Sequence, residues 1–408
     1  MLYNSDQGKN LSLNHLCSEL RKDGQKVSKQ GLDCRFNERS VLFIQALFEK
    51  YLQKISSRLP QGGDCGWMKL FSRILVKDGT RFDLPSAFAS HFKGSGGSAS
   101  QAGICIQFEY DLKTGQIHDI STSSANVPDS KNAQLTKDKI LEGDLILRDL
   151  GYFGLNIFEE MTKKGAYYIS KLNVQTTVFE LINGEYVPLD FKKLRHDLPL
   201  NCCLEKEVYM GEKYKSKTRL VIEKVPDEVY EERIREKKRQ AKKKGYNLRQ
   251  EFIDRQRFNL YITNIEKEKL KPEAIKNIYR LRWQIELVFK QWKSTMKINI
   301  SHKMKFERWM TLFYARMLLM LVHWQIFHTA KTVKYKKENK LLSLSKCMEA
   351  LRLEVGKIRD LIGRKKGKFK KTLHELRNKI WNGHEIEKRK GRISLQEIIE
   401  ITYCITVN

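Results

Sequence analysis

An ordered series of short apolar runs between residues 71 and 172 constrains the fold more than any other feature of the sequence. The first run, at 71–76, ends at Asp78-Gly79 and is typical of a buried β-strand. A hairpin pattern and then alternating helix and strand patterns follow, at 103–110, 116–122, 130–141, 145–147, 155–163 and 166–172. A chain that combines a hairpin, helices and strands in this order is predicted to have an α/β fold.

The charge of the chain indicates a polyanionic partner. Lys and Arg number 77 against 48 Asp and Glu, which leaves a net charge of +29. Nucleic acid is the usual partner of so basic a protein, and an anionic membrane surface comes second. The eight cysteines are scattered and the N-terminus is polar. We therefore expect no secretory signal and no disulfide framework, and a cytoplasmic location in which thiols stay reduced.

One stretch, at 310–327, approaches the length of a membrane span. Arg316, His323 and Gln325 interrupt it, whereas a span needs about 20 mostly apolar residues. It is therefore predicted to be a buried helix, and no membrane partner is expected.

Four polar side chains share one stripe of a long helix predicted at 273–293. They are Tyr279, Arg282, Glu286 and Lys293. At about 100° per residue they fall within an arc of roughly 60°. Phosphodiester chemistry can use all four, because a carboxylate binds a divalent metal and the cations hold phosphates. The alternative is a solvated helix face with ion pairs from Glu286 to its neighbours.

Two aspartates are predicted at strand ends, where they can converge with a carboxylate from a packed helix. Asp78 follows the run at 71–76, and Asp149 follows the run at 145–147. Such a trio holds two Mg²⁺ ions about 3.5–4 Å apart. The alternative is that each Asp only ends a strand or caps a turn. Asp83 and Asp144 are local competitors, but the strand pattern leads directly into Asp78 and Asp149.

These segments together resemble the DDE transposases of bacterial insertion sequences, in the insertion-sequence-four family. The family's signature motif, Y-x2-R-x3-E-x6-K, is matched at all four of its positions, from Tyr279 to Lys293. Lys77-Asp78-Gly-Thr and Arg148-Asp149-Leu-Gly-Tyr-Phe resemble the segments around the family's two aspartates. The loop at 94–98 and the segment at 102–115 are similar to one subgroup. The likeness runs from about residue 17 to about residue 325.

The resemblance implies a ribonuclease-H-like core, with the first Asp on the first strand, the second after the fourth strand and the Glu on a helix. It implies that Asp78, Asp149 and Glu286 hold two Mg²⁺ ions, which Mn²⁺ can replace. It also implies cut-and-paste transposition through a hairpin intermediate. Tyr279, Arg282 and Lys293 would then hold DNA. The expected partners are transposon ends and target DNA, bound by a homodimer on paired ends near the bacterial nucleoid.

The chain is predicted to divide into five parts. These are a helical DNA-binding region at 1–62, the first part of the core at 63–173, a β-rich insertion with a basic helix at 174–255, the second part of the core at 256–330 and a basic helical region at 331–408.

Two basic runs are further DNA-binding candidates. The first lies on the charged helix predicted at 229–252 and contains Lys237, Lys238, Arg239, Lys242, Lys243 and Lys244. It is predicted to contact phosphates, and the alternative is a solvated helix face. The second run, at 363–371, allows the same two interpretations. Trp283, beside the polar stripe, is interpreted as packing next to the site.

The sequence departs from the family in two ways. Family members usually carry a longer N-terminal region, so end-specific DNA binding is in doubt. Some relatives hold a flipped base with a Trp of the insertion, whereas residues 155–280 contain no Trp. Four aromatic side chains are substitutes, namely Tyr186, Phe191, Tyr209 and Tyr214. The alternative function is a truncated transposase that binds DNA but is inactive or inhibitory. A repair nuclease on the same fold ranks third.

Overall fold

A computed structural model describes residues 12–22, 24–56, 66–97, 99–152, 154–200, 202–301, 303–354, 366–387 and 397–398. The strands are β1 Ile74–Leu84, β2 Ala102–Asp111, β3 Ile117–Ser124, β4 Leu145–Arg148, β5 Tyr167–Lys171, β6 Val178–Ile182, β7 Glu185–Pro188, β8 Cys203–Met210, β9 Ser216–Lys224 and β10 Phe258–Thr263. The helices are α1 Leu13–Lys22, α2 Lys29–Cys34, α3 Glu38–Ser56, α4 Asp129–Leu135, α5 Leu155–Lys163, α6 Phe191–Asp197, α7 Asp227–Lys244, α8 Gln250–Arg255, α9 Pro272–Arg280, α10 Trp283–Ser294, α11 Phe306–Glu338, α12 Leu344–Leu353 and α13 Lys366–Lys379.

The ten strands form one sheet in the order β3-β2-β1-β4-β5-β10-β9-β8-β6-β7. β1 is parallel to β4, and β4 is parallel to β5. β2 and β3 form an antiparallel hairpin. The predicted α/β class is confirmed, and so is the placement that the ribonuclease-H-like resemblance implied. The first Asp lies on β1, the second follows β4, and Glu286 lies on α10.

The chain divides into two compact units, and β1 contributes to both. The first unit contains Met1–Gly63, Asp78–Val127 and Trp283–Gln396. The second unit contains Asp64–Lys77, Pro128–Arg282 and Glu397–Asn408. The division therefore falls between Lys77 and Asp78, inside β1.

The second unit is built on buried strands. All four residues of β4 are buried, which parallel strands covered on both faces require. One apolar cluster extends from Ile146 on β4 through Phe158 on α5 to Ile222 on β9. The β-rich region predicted as an insertion joins the same sheet, because β9 pairs with β10 and β8 pairs with β9.

The first unit is organised around α11, a helix of 33 residues. In the described chain it is the one helix long and apolar enough to cross a membrane by length and composition. However, 89% of its most apolar window is buried, which confirms the prediction of a core helix. Its aromatic side chains pack on the hairpin, where the Trp324 ring lies 5.5 Å from that of Phe108.

Two predicted boundaries were wrong. β1 does not end at Asp78-Gly79 but continues to Leu84, because β2 is its neighbour in the sheet beyond the part that pairs with β4. The predicted long helix at 273–293 is two helices, α9 and α10. At the break, the N–H groups of Leu281 and Arg282 donate to carbonyls three residues back, which is 3₁₀ geometry. Leu281 is buried there, at 1% exposure.

Candidate active site

Each of the two predicted aspartates follows the last paired residue of a strand. The last paired residues of β1 and β4 are Lys77 and Arg148, and Asp78 and Asp149 are the next residues of their chains. Lys77 is fully buried, and its ammonium donates to Thr136 Oγ1 at 3.1 Å. Asp78 is half-buried and its Oδ1 accepts from the Gly79 N–H at 2.8 Å. Each carboxylate therefore directly follows a buried cationic residue, Lys77 or Arg148.

The competing aspartate Asp144 has a structural partner. It is fully buried, and its Oδ1 accepts from Arg73 Nε at 2.7 Å. Its second oxygen accepts from the Leu141 N–H at 2.8 Å. An ion pair that is already satisfied in this way anchors the start of β4. This favours Asp149 over Asp144 as the functional carboxylate.

Tyr279 and Arg282 lie near Asp149 within the second unit. Tyr279 is 5% exposed, and its hydroxyl lies 3.5 Å from the Arg148 carbonyl oxygen. The Arg282 guanidinium lies 6.0 Å from the centre of the Tyr279 ring. Burial raises the pKa of Tyr279, and the negative charge of Asp149 raises it further. The phenol therefore stays neutral and can donate a hydrogen bond to a phosphate.

Lys171 belongs to the same cluster and was not predicted. The register of β4 and β5 pairs Leu147 with Ile169, so two more steps bring Asp149 level with Lys171. Burial lowers the pKa of Lys171, Asp149 raises it, and Arg233 and Arg282 lower it. The ammonium is therefore within electrostatic range of Asp149 and Arg282. Its position at the end of β5 was the only feature of the sequence that could have identified Lys171 as a site residue. The sequence does not reveal that β5 neighbours β4.

Glu286 and Lys293 lie on α10 in the first unit. Glu286 is half-buried in the first turn, and Lys293 lies in the last turn. This distribution suits the helix dipole, which favours anions at the N-terminus and cations at the C-terminus. Lys293 Nζ donates to the Arg81 carbonyl oxygen at 3.1 Å, and burial lowers its pKa. The spacing of seven residues keeps both side chains on one face.

The four-residue stripe predicted on one continuous helix was wrong in its geometry. The break at Leu281 and Arg282 separates Tyr279 from Glu286 and Lys293. Tyr279 and Arg282 belong to the second unit, and Glu286 and Lys293 to the first. The 60° arc therefore does not apply to all four side chains. Within the second unit the phenol of Tyr279 still lies beside the guanidinium of Arg282. Within the first unit the carboxylate of Glu286 and the ammonium of Lys293 still lie on one face of α10.

The donor set suits a hard divalent cation, because carboxylate oxygens are its preferred ligands. Among the described residues, however, no group of three or more His, Cys, Asp or Glu side chains is arranged to hold a metal ion. The ligand set of Asp78, Asp149 and Glu286 therefore stays a prediction.

The basic run on α7 is available to a ligand. Lys237 is half-buried, and Lys238, Arg239, Lys242, Lys243 and Lys244 are exposed. Within the described residues none of these six side chains has an ion-pair partner. Arg233, one turn earlier, instead donates to Asn259 Oδ1 at 2.7 Å and attaches the helix to β10. The second basic run, at 363–371, lies partly outside the described residues.

Two aromatic predictions need correction. Trp283 does not pack beside the site, because its exposed fraction is 55%. Phe191 is 2% exposed and packs in the core, so it cannot stack on a base. Tyr186, Tyr209 and Tyr214 remain candidates. The ring centres of Tyr186 and Tyr209 are 5.1 Å apart.

Comparisons with known proteins show the family of the chain. Residues 69–323 match the family model described as the transposase DDE domain. The transposase for insertion sequence element IS1151 from Clostridium perfringens is 33% identical over 333 residues, which cover 78% of this chain and 70% of the relative. The transposase for IS231B from Bacillus thuringiensis subsp. berliner is 30% identical over 409 residues, which cover 96% of this chain and 85% of the relative. The transposase for IS231F from Bacillus thuringiensis subsp. israelensis is 31% identical over 352 residues, which cover 80% of this chain and 72% of the relative.

The fold and the matched domain define the class of protein, an enzyme that cleaves and joins DNA strands with divalent metal ions. The chain belongs to the DDE transposases of bacterial insertion sequences. The predicted family, fold class and enzyme class are thereby confirmed.

Proposed function

We propose that this transposase moves an insertion sequence by cut-and-paste transposition, with Asp78, Asp149 and Glu286 as its catalytic carboxylates. The observation that carries the proposal is the order of the three segments, on β1, after β4 and on α10, inside the matched DDE domain. Two Mg²⁺ ions, or Mn²⁺ in their place, would be held by these carboxylates and would supply positive charge at the attacking and leaving oxygens.

The reaction begins with hydrolysis at the element end. Water attacks the phosphorus, the bond to the 3′ oxygen breaks, and that oxygen leaves as a 3′-OH. The 3′-OH then attacks the opposite strand, which closes a hairpin and frees the flanking DNA. A second hydrolysis opens the hairpin, and the 3′-OH attacks the target strand. In each step one P–O ester bond breaks as a new P–O bond forms, either to a 3′ oxygen or to the oxygen of water.

The remaining residues of the site hold DNA. Arg282 and Lys293 bind phosphate oxygens near the scissile bond. Tyr279 donates a hydrogen bond from its neutral hydroxyl to a phosphate oxygen. Lys171 adds a second cation beside Asp149. The exposed run on α7 binds phosphates further along the duplex. We propose a homodimer, acting in the bacterial cytoplasm at the nucleoid, because both ends of the element must be cut together.

Strand cleavage of a labelled duplex that carries the element's own end tests the proposal. With Mg²⁺ or Mn²⁺, the wild type should nick the duplex, and Glu286→Gln should bind DNA but lose nicking. Glu268→Gln removes an exposed carboxylate and is the matched control, so it should nick at the wild-type rate. A hairpin product supports transposition over a simple nuclease. A wild type that binds without cutting supports the inactive derivative instead.

A further inference from the structure

A cavity of about 410 Å³ in the first unit has no role in the reaction described above. Residues of α10, α11 and α12 line it together with the end of β2. Its volume falls in the range of small-molecule sites, about 300–1,000 Å³. The α10 residues that line it are centred roughly 130° around the helix from Glu286 and Lys293, at about 100° per residue. The cavity is therefore on a different face of α10 from the catalytic carboxylate.

Two nitrogen atoms on neighbouring turns of α11 lack partners at this cavity. His328 is 4% exposed, and its Nε2 has no hydrogen-bond partner. Lys331, three residues later, lines the same cavity, and within the described residues its ammonium has neither a hydrogen-bond nor an ion-pair partner. Buried polar groups are nearly always satisfied, so the unpartnered Nε2 of His328 requires an explanation.

The His328 ring is held in place by the hairpin turn. A Cβ on Gly115 would lie 2.0 Å from His328 Nδ1, so only glycine fits at this position. Trp324 Nε1 donates to the Gly115 carbonyl oxygen at 2.7 Å. The imidazole is therefore packed against the turn on its Nδ1 side. This packing preorganises the side chain without satisfying Nε2.

The charges around the cavity favour an anion. Lys290, Lys331 and Lys346 line it, against the single carboxylate of Glu387. Lys346 and Glu387 pair with each other at 2.6 Å, which leaves Lys290 and Lys331. Asp111 attracts Lys331, but its own carboxylate already accepts from the Thr114 hydroxyl at 2.7 Å. Burial lowers the pKa of Lys331 to about 8, and the charge of Asp111 opposes this decrease.

The walls of the cavity are aromatic as well as cationic. Tyr110, Trp283 and Trp324 line it. Tyr110 and Trp324 are 4% and 2% exposed and pack in the core, whereas Trp283 is 55% exposed and its ring is available for stacking. Aromatic faces stack on nucleobases, and Lys and His donate to phosphates. A simple inorganic anion would leave the exposed ring of Trp283 without a partner.

We propose that this cavity binds a nucleotide, with its phosphate on Lys331 and His328 and its base against the ring of Trp283. The nucleotide is either free or part of a DNA strand, because both present the same chemistry. The inference goes beyond the proposed function, and it does not depend on strand cleavage.

Chemical labelling of lysines tests the site without using activity. The full chain is acetylated briefly at pH 8, and peptides are quantified by mass spectrometry. Lys331 should label readily, because its lowered pKa leaves much of the amine uncharged. A free nucleotide such as dAMP, or a single-stranded oligonucleotide, should reduce that labelling by about tenfold or more. Lys336, which is exposed on the same helix, is the internal control and should label equally with and without dAMP.

The two sources are separated by which ligand protects Lys331. Protection by millimolar dAMP identifies a free-nucleotide site, whereas protection by the oligonucleotide alone identifies a strand site. Protection by inorganic phosphate or by an acidic peptide, with neither nucleotide effective, overturns the proposal. So does the absence of protection by every ligand.

Variants provide the second measurement. Lys331→Met should fold and melt no lower than the wild type, because it removes a half-buried cation that has no ion-pair partner within the described residues. Its melting temperature should not rise with dAMP or the oligonucleotide, whereas that of the wild type rises with whichever of them binds. Lys331→Arg should recover part of that rise, and Lys336→Met should behave as wild type. An equal rise in Lys331→Met contradicts the proposal.

The outcome is independent of catalysis. Glu286→Gln should show the same protection of Lys331 as the wild type. Protection without nicking would refute the proposed function alone, and nicking without protection would refute this inference alone.

Discussion

At the residue scale, the site includes a side chain that belongs to no recognised motif. Lys171 ends β5, and the parallel register with β4 brings it level with Asp149. Asp149 and Arg282 both act on its ammonium. A cation in this position can bind the phosphate that the carboxylates act on, and it can balance the charge of Asp149 before DNA arrives.

Lys171→Ala should therefore slow nicking more than it weakens DNA binding. We expect the nicking rate of bound duplex to fall by about ten- to a hundredfold, since a hydrogen bond to a charged group contributes about 1.5–3 kcal/mol. Lys171→Arg should recover most of the rate because it restores the charge. Single-turnover nicking on saturating DNA measures the effect.

Lys163, an exposed residue at the end of α5, offers a matched control. Lys163→Ala should leave the rate unchanged. Equal losses in both alanine variants, or no recovery with arginine, would mean that Lys171 has no specific role.

At the element scale, the sequence predicts locally determined elements well and elements with distant partners poorly. α5 was predicted at 155–163 and is found at Leu155–Lys163, because its apolar spacing is local. The extension of β1 past Asp78 depends on β2, which is distant in sequence. The break between α9 and α10 depends on two 3₁₀ hydrogen bonds, and the apolar period continues through it without interruption. Lys171 was missed for the same reason, since strand order is not a local property.

The basic helix α7 carries the next prediction. Replacing Lys242, Lys243 and Lys244 by Gln should weaken DNA binding at every sequence and reduce its salt dependence. Each lost phosphate contact should lower the slope of log K against log salt by about 0.9. Binding titrations between low and moderate salt measure the slope.

Three exposed lysines outside α7 provide the comparison, namely Lys163, Lys192 and Lys193. Their triple replacement should leave the salt slope nearly unchanged. If the slope of log K against log salt decreases equally in both triple variants, the basic charge acts diffusely and α7 is not a specific DNA contact.

At the scale of the whole molecule, the buried core helix α11 makes stability depend on pH. His323 is fully buried, and burial lowers its pKa to about 4. The unfolded chain binds a proton at this residue near its ordinary pKa of about 6.5. Between these values only the unfolded state is protonated, so stability falls as the pH falls through this window. The expected slope is about 1.4 kcal/mol per pH unit for one proton.

His323→Leu should remove this contribution. Urea denaturation at pH 5 and pH 8 should show that the variant gains stability relative to the wild type at the lower pH. His196, which is exposed on α6, serves as the control, and His196→Leu should show no such gain. An identical difference between variant and wild type at both pH values would contradict the assignment.

The division inside β1 has a consequence for the order in which the ribosome releases the chain. Nearly all of the second unit has been synthesised once residue 282 is added, whereas the first unit still lacks Trp283–Gln396. Until α10 and α11 appear, the ten residues of β2, all buried in the finished protein, have no helices to cover them. Nascent chains that stall in this interval would expose an apolar strand that favours aggregation. A transposase gene interrupted near its middle should therefore yield insoluble product rather than a stable fragment.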